Sequence, residues 1–556
     1  VIGSRSRDTA AAGLILAPLL VLLALMVGGQ FADPDLWGRL SIATVLFQTG
    51  HLPRIDDFSY TANGAPWIDH EWLTGVAFYA ALRAGGEAGL MLLKYALAAS
   101  TLLLVFALHR IVYRRSPQVA CAALLLLLPV YLPGFMPTLR AQVFSFAFFL
   151  AFAFLLEAIR FERLREIHLV WLVPVGVVWG NLHGGVAMGI LLIGVYALAE
   201  VARGRVRLAV RRAATAVALL AALSLLNPYG PRYMGFLVRA WTLDRSAVGE
   251  WFPLLELGWN VVTAILILST GLAGGLAIGG LWSALRRRPD GASDDLLAPS
   301  LALALLVCMT LSANRIAIFL GLGLAAYLPV FLGTADGGKI AERAPRPLRT
   351  VLRWLPTSIC VVALAGAVRY AQAMPVLATI VPDETLRVFP AKLAYPAGAA
   401  RYLASSPYEG KLMGSFRNGE FLYFTLYPKF RVAIDGRYEE VYAQDALETV
   451  VSVYTFDRRQ PEQAIAAANR TGADFIIYRS STPNPEIVAR SPQWRRVYDD
   501  GVFSVIGHER ALGTGPLHRV RPLGMYRRRT IRDFFSALAR SRFEGYPITA
   551  SPEAGP

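Results

Sequence analysis

Asp33-Pro34-Asp35-Leu36-Trp37 follows directly on an apolar run at 11–29. Two carboxylates this close to a run of membrane-spanning length are costly to bury, so each needs a reason. Asp33 before Pro34 reads as a helix N-cap with proline at the first helical position. A short helix then runs through Trp37 and Leu40 to Phe47. Gly50, Pro53 and Pro66 punctuate the loop that follows. Glu71 to Arg83 reads as a second short helix, ended by a Gly85-Gly86 break.

The rest of the chain repeats the apolar run. It has 556 residues, 55% of them hydrophobic, and a mean hydropathy of +0.45. Spans are expected near 11–29, 87–109, 118–133, 141–159, 168–181, 185–202, 213–227, 258–284, 296–313, 316–334 and 351–373, about eleven in all. The fold class is therefore mainly α, a polytopic helical membrane domain followed by a mixed α/β extracytoplasmic domain. Cys121, Cys308 and Cys360 all lie in apolar runs, without metal or disulfide spacing, and read as small core or lipid-facing residues.

The net charge of +16 is better explained by topology than by nucleic acid, and no nucleic-acid partner is expected. Arg5 and Arg7 precede the first span; Arg110, Arg114 and Arg115 follow the second; Arg160, Arg163 and Arg165 follow the fourth. Arg203, Arg205, Arg207, Arg211 and Arg212 follow the sixth, and Arg286–Arg288 and Lys339–Arg353 continue the series. Clusters on alternate loops place the N-terminus in the cytoplasm. The first run is long enough to be retained as a span, with no cleavable signal peptide evident. An odd number of spans puts the region after 374 outside, in the periplasm if the protein sits in a bacterial inner membrane.

The expected domains are 1–375, a transmembrane domain with a long first outside loop at 30–86; 376–511, the extracytoplasmic domain; and 512–556, a basic tail. Within the second, Pro396–Ser405 and Pro461–Asn469 read as helices. Lys411–Phe416, Phe421–Leu426, Arg431–Ile434 and Ala473–Tyr478 read as strands, and Trp494–Ile506 as a closing hairpin.

With this topology the unusual polar clusters share the outside face. Asp33, Asp35, Asp56, Asp57, Asp69, His70 and Glu71 lie in the first loop; Arg140 starts the fourth span. Asn181 and His183 lie in the turn Asn181-Leu182-His183-Gly184-Gly185, and Asn227-Pro228-Tyr229-Gly230, Glu250-Trp251 and Asn314-Arg315 in later outside turns. Each has a plain reading. Asp33 caps a helix. Asp35 favours the helix dipole, a position that also keeps a carboxylate ionised as a general base requires. Asp57 and Asp69 read as turn residues. His70-Glu71 has no second histidine at metalloprotease spacing. His183 is an interfacial or functional histidine whose glycines permit close approach of a ligand. Arg140 and Arg315 lie where the positive-inside rule disfavours them, and phosphate is a natural partner for such residues.

The segments ADPDLWGRL (32–40), LPRIDDFSYTANGAPWIDHEWL (52–73), LRAQVFSF (139–146), VVWGNLHGGVAMG (177–189), LNPYG (226–230), GEWFP (249–253), SANRIAIF (312–319) and GSFRNGEFLYFTLYPKFRVAIDGRYEEVY (414–442) carry a resemblance. The chain resembles the GT-C superfamily of integral-membrane glycosyltransferases, and more closely a group of bacterial membrane proteins, over about residues 10–510. The resemblance implies a polyprenyl-phosphate-linked sugar donor, a glycan, lipid or protein acceptor, and inverting transfer on the outside face. It implies that a first-loop carboxylate, Asp33 or Asp35, deprotonates the acceptor. Asp56, His70, Glu71, Arg140, Asn181, His183 and Arg315 are the candidate substrate-binding residues, with Arg140, Arg315 and His183 suited to a lipid phosphate on physical grounds. Many relatives carry a second Trp and then His where this chain has Gly38 and Arg39. Oligosaccharyltransferase-like relatives use a divalent metal, and protein mannosyltransferase-like and aminoarabinose-transferase-like ones do not. No clean acidic cage is visible, so no metal or other cofactor is expected.

Three rivals stand beside this reading. An O-antigen ligase or polymerase typically relies on arginines in a large outside loop. A transporter predicts charges in mid-span or inverted repeats, and neither is evident. A non-catalytic assembly protein would keep the same architecture and work through 390–510.

Overall fold

The computed structural model describes residues 33–115, 127, 134–135, 139–240, 249–286, 295–331, 395–455 and 461–513. The expected spans at 11–29 and 351–373, most of that at 118–133, and the tail from 514 lie outside the described residues. The chain divides into two compact units, residues 1–30 with 91–379 and residues 31–90 with 380–556.

The first unit is helical. Among the described residues, five helices are long and apolar enough to cross a membrane: Ala88–Val112, Gln142–Arg160, Val206–Leu226, Val262–Arg286 and Asn314–Phe331. Shorter apolar helices cover Glu166–Leu182, Val186–Ala202 and Leu297–Ser312. Leu92, Leu103, Leu225, Leu268 and Leu285 point outward from these helices and are largely exposed. Large aliphatic side chains around the outside of a helical bundle suit lipid rather than water as the surrounding medium. The arginine-rich ends are tied by ion pairs: Arg160 with Glu157 at 2.6 Å, Arg203 with Asp295 at 3.0 Å and Arg212 with Glu200 at 2.9 Å. Glu157 is fully buried and also accepts hydrogen bonds from Tyr113 and Tyr196. These carboxylates leave their arginines paired rather than bare in a low-dielectric interior.

The second unit contains a five-stranded sheet in the order β2-β1-β3-β5-β4, formed by β1 (Gly410–Met413), β2 (Phe430–Val432), β3 (Phe475–Arg479), β4 (Trp494–Asp499) and β5 (Phe503–His508). β1 runs parallel to β2 and β3, while β3–β5 and β5–β4 are antiparallel. Its core gathers Met413, Ile476, Tyr478 and Ile506 with Leu447, Val450 and Ala468 from the covering helices. The expected hairpin, three of the four expected strands and both expected helices are present. Phe421–Leu426 is a correction: it lies in a helix, Gly419–Leu426, not a strand. All eight residues of that helix are buried. A helix apolar on every face carries no 3.6-residue period, so its aromatic and β-branched content imitates a strand.

Helix α1 (Pro34–Thr49) begins this unit, with Asp33 as N-cap, Pro34 at its first position and Gly50 in the left-handed region at its C-cap. Helix α2 (Trp72–Ala107) is interrupted at Gly85 and Gly86, whose φ of 58° at Gly86 needs a residue without Cβ. The loop between α1 and α2 joins the sheet. Phe58 and Tyr60 exchange backbone hydrogen bonds with Val432, both at 3.0 Å, so this loop covers the open edge of β2. Trp37 of α1 is buried against Tyr395, Phe421 and Phe424, with ring centroids 5.1–5.6 Å away. The first loop and the C-terminal residues therefore share one core.

Candidate functional site

Asp33 and Asp35 have different environments. Asp33 is buried, and its Oδ1 accepts the Asp35 N–H at 3.1 Å. That bond satisfies one of the orphan donors of the helix start. Asp35 is half-buried in the first turn, where the helix dipole favours a negative charge. Gly38, one turn further on, donates its N–H to Glu420 Oε2 at 3.0 Å. A Cβ at position 38 would stand 2.5 Å from that oxygen and 2.8 Å from the Tyr423 hydroxyl. Glycine at this place admits the Glu420 carboxyl to the helix backbone. Gly38→Ala is expected to lower stability by about 1–3 kcal/mol through this overlap, read as a lower melting temperature in detergent.

Glu420 faces the same point as Asp35. A Cβ on Gly436 would stand 2.8 Å from Glu420 Oε1 and 3.4 Å from Asp35 Oδ1. Burial raises the Glu420 pKa well above the usual carboxylate range, and the charges of Asp35 and Asp435 push the same way. Arg39 and Arg437 oppose them only in part. Burial and the neighbouring carboxylates thus favour the protonated form of Glu420 beside Asp35.

Arg39 pairs with Asp69 at 2.5 Å and Glu71 at 2.9 Å. Asp69 also accepts the Glu71 N–H at 3.1 Å, a turn bond of the kind its sequence position suggests. His70 lies 3.4 Å from Glu71 and 3.6 Å from Glu440. Burial disfavours the charged ring, but these two carboxylates outweigh it and lift His70 above its ordinary value. Asp56 is fully buried. It accepts from Phe58 N at 3.1 Å and pairs with Arg437 at 2.7 Å. Asp57, half-exposed, pairs with Arg431 at 2.7 Å. The structure thus brings Asp35, His70 and Glu71 into one charged network with Arg39 and Glu420, with Asp33 as the cap of the helix that carries Asp35, while Asp56 belongs to an adjoining cluster around Arg437.

The remaining candidates lie in the first unit. Arg140 and Arg315 converge on a single carboxylate, Glu250: Arg140 by a direct hydrogen bond and Arg315 at 3.5 Å. Asn314 holds the Glu250 loop through the carbonyls of Gly249 at 2.8 Å and Phe252 at 3.0 Å. Arg315 also stands over the Trp251 ring, 5.5 Å from its centroid. Burial alone would raise Glu250, yet the two guanidinium groups hold it below the usual carboxylate range. Two arginines facing one anion form the geometry that also recognises phosphate. Asn181 is buried, donates to Val177 O at 2.8 Å and accepts from Asn227 at 3.1 Å, which ties one helix end to the Asn227-Pro228-Tyr229-Gly230 turn. His183 ends the same helix, Leu172–Leu182, and its Nδ1 meets Ser145 Oγ at 2.8 Å and Gly185 N at 2.9 Å.

Sequence reasoning passed over Glu420, Ser145 and Arg437, and named Glu250 only as part of an outside-turn cluster. The glycines at 38, 436 and 185 were the available signal, because each marks a place where another chain segment comes close. Among the described residues, no three His, Cys, Asp or Glu side chains are grouped to hold a metal ion.

No protein-family model matches this sequence, and no curated protein matches it. Solved structures do. The oligosaccharyltransferase of Archaeoglobus fulgidus in complex with Zn and sulfate aligns at 14% identity and a TM-score of 0.51, over 91% of this chain and 74% of that one. ArnT from Cupriavidus metallidurans bound to undecaprenyl phosphate aligns at 15% identity and a TM-score of 0.50, over 90% of this chain and 98% of that one. This chain has the GT-C fold. The GT-C fold is a membrane architecture with a C-terminal domain, as expected from the apolar runs and the mixed α/β stretch that follows them. At these identities the likeness is one of fold, and activity has to be argued from the residues.

Proposed function

We propose that this protein is a membrane glycosyltransferase that takes a sugar from a polyprenyl-phosphate-linked donor and passes it to an acceptor hydroxyl on the periplasmic face of a bacterial inner membrane. The observation that carries the reading is Asp35: a half-buried carboxylate in the first turn of a helix capped by Asp33, on a GT-C fold. In the mechanism, an Asp35 carboxylate oxygen takes the acceptor's hydroxyl proton. The acceptor oxygen attacks the anomeric carbon, the bond from that carbon to the phosphate oxygen breaks, and polyprenyl phosphate leaves with the electron pair. A single displacement inverts the anomeric centre. Phosphate is a good leaving group, so positioning and charge stabilisation supply most of the catalysis.

The lipid donor is supported by the ArnT structure, which was solved with undecaprenyl phosphate, and by the arginine pair on Glu250. The reading is metal-free, so a chelator is expected to leave transfer unchanged. Arg140 and Arg315 are assigned to the lipid phosphate. Arg140→Glu and Arg315→Glu each lose a charge-assisted hydrogen bond, a loss of about 1.5–3 kcal/mol, and are expected to weaken undecaprenyl-phosphate binding at least about tenfold. Vesicle flotation or tryptophan fluorescence reads this, and unchanged binding by both would remove the assignment. The function is tested with the full-length protein in lipid vesicles, supplied with radiolabelled polyprenyl-phosphate sugars or nucleotide sugars and with membranes of the native host as acceptor. Consumption of a polyprenyl-phosphate sugar with release of polyprenyl phosphate supports the proposal. Transfer from nucleotide sugars alone, or no turnover of any lipid-linked sugar by folded protein, overturns it.

A further inference from the structure

The turn at His183 contains a hydrogen-bond chain whose direction can be worked out. Trp179 Nε1 lies 2.7 Å from Ser145 Oγ. An indole N–H only donates, so Ser145 Oγ accepts there. The Ser145 hydroxyl proton is then available for its other neighbour, His183 Nδ1, at 2.8 Å. The Gly185 backbone N–H, also only a donor, points at the same nitrogen from 2.9 Å. Nδ1 therefore accepts two hydrogen bonds and carries no proton, so the ring proton sits on Nε2.

The surroundings hold this arrangement. Trp179 and Ser145 are fully buried. The Trp179 indole stacks on Phe148 at 5.9 Å and meets the edge of Phe152 at 5.2 Å. Gly185 has no side chain, and a Cβ there would stand 2.7 Å from His183 Nδ1 and crowd the Ser145 hydroxyl. A buried apolar slab thus fixes one end of the chain, and a glycine turn fixes the other. His183 itself is only half-buried.

We propose that Trp179, Ser145 and Gly185 lock His183 as a neutral Nε2–H donor, and that this N–H serves an anionic oxygen of the lipid phosphate. The assignment rests on the lipid-phosphate reading above. It makes His183 a fixed hydrogen-bond donor rather than a base, and makes Ser145 and Trp179 positioning residues that act through it. A donor already oriented before the ligand arrives costs no reorganisation when the phosphate binds.

The test has two independent readouts on the full-length protein in detergent. The first is the nitrogen-15 NMR signature of His183 in histidine-labelled protein, with His183→Gln to assign the signal. The expected result at neutral pH is an Nε2–H ring with an unprotonated Nδ1, shifting toward a tautomer mixture in Ser145→Ala. A protonated Nδ1 in the wild-type protein overturns the lock. The second is binding of undecaprenyl phosphate. His183→Ala is expected to weaken it about tenfold and Ser145→Ala about threefold. His183→Gln, which places an amide N–H near the Nε2 position, should recover more than His183→Asn, which mimics the Nδ1 side. Normal binding by all the His183 variants, with Arg140→Glu and Arg315→Glu impaired, overturns the His183 role and leaves the lipid-phosphate reading standing. No undecaprenyl-phosphate binding by the folded wild-type protein overturns both.

Discussion

Replacing Arg437 with methionine is expected to destabilise the unit that contains the first loop by about 3–5 kcal/mol, the cost typical of leaving a buried charge without its partner. The Arg437 side chain is almost completely buried and binds two carboxylates that are themselves fully buried. It reaches Asp56 at 2.7 Å and grips Asp435 with two nitrogens at 2.5 and 2.8 Å. Its guanidinium also lies 4.8 Å from the Trp67 ring centroid and 5.5 Å from that of Phe58. Methionine would fill much of the volume, yet Asp56 and Asp435 would face each other's charge with only local donors left. Asp56 keeps the Phe58 N–H, and Asp435 keeps the Tyr442 hydroxyl at 2.5 Å. Lysine should rescue only part of the loss, because it supplies charge without the planar fork. At about 2–4 °C per kcal/mol for a unit of this size, the melting temperature should fall by roughly 10 °C. Arg431→Ala is the control: its pair with Asp57 is half-exposed on both sides, so the loss should stay within about 1 kcal/mol. Hydrogen exchange should report loosening of 56–60 and 435–442 together in Arg437→Met. A variant as stable as wild type would show that these carboxylates do not depend on the arginine.

Much of this fold is written locally. The cap at Asp33, the proline after it and the left-handed Gly50 delimit α1 within the chain itself, and Gly85-Gly86 break the next helix where two adjacent glycines would be expected to. The spans are legible because a bilayer demands apolar length, whichever neighbours a helix has. What could not be read depends on distant partners. The Glu420–Gly38 contact joins residues 382 positions apart, and neither residue advertises the other. The same holds for Asp56, which looks like an available loop acid until Arg437 is placed on it. Phe421–Leu426 misleads for a related reason: burial on all sides, which comes from tertiary packing, erases the period that local reading needs. Of the candidate residues, sequence could nominate the acids and arginines by type and topology. It could also separate the carboxylate engaged in the cap, Asp33, from the one beside it, Asp35, because a cap before proline is a local signal.

That separation gives the other large expected effect. Asp35→Asn should reduce sugar transfer by about a hundredfold to ten-thousandfold, the range for losing a positioned general base, with little change in folding. Asn keeps the size of the side chain and remains acceptable in a first helical turn, so a loss of activity cannot be charged to the helix. Asp33 behaves oppositely. Its Oδ1 accepts the Asp35 N–H, and Asn also caps well, so Asp33→Asn should leave both stability and transfer near wild type, whereas Asp33→Ala should cost about 1 kcal/mol of stability. The neighbouring Glu420 bears on the assignment: burial and the charges around it favour its protonated form, whereas Asp35 is the half-buried member of the pair at a helix N-terminus, where a negative charge is favoured. Transfer rates normalised to folded protein, measured alongside melting curves for the three variants, distinguish the roles. Retained transfer in Asp35→Asn with loss in Asp33→Asn would move the base to Asp33. Retained transfer in both would mean that neither carboxylate takes the acceptor's proton.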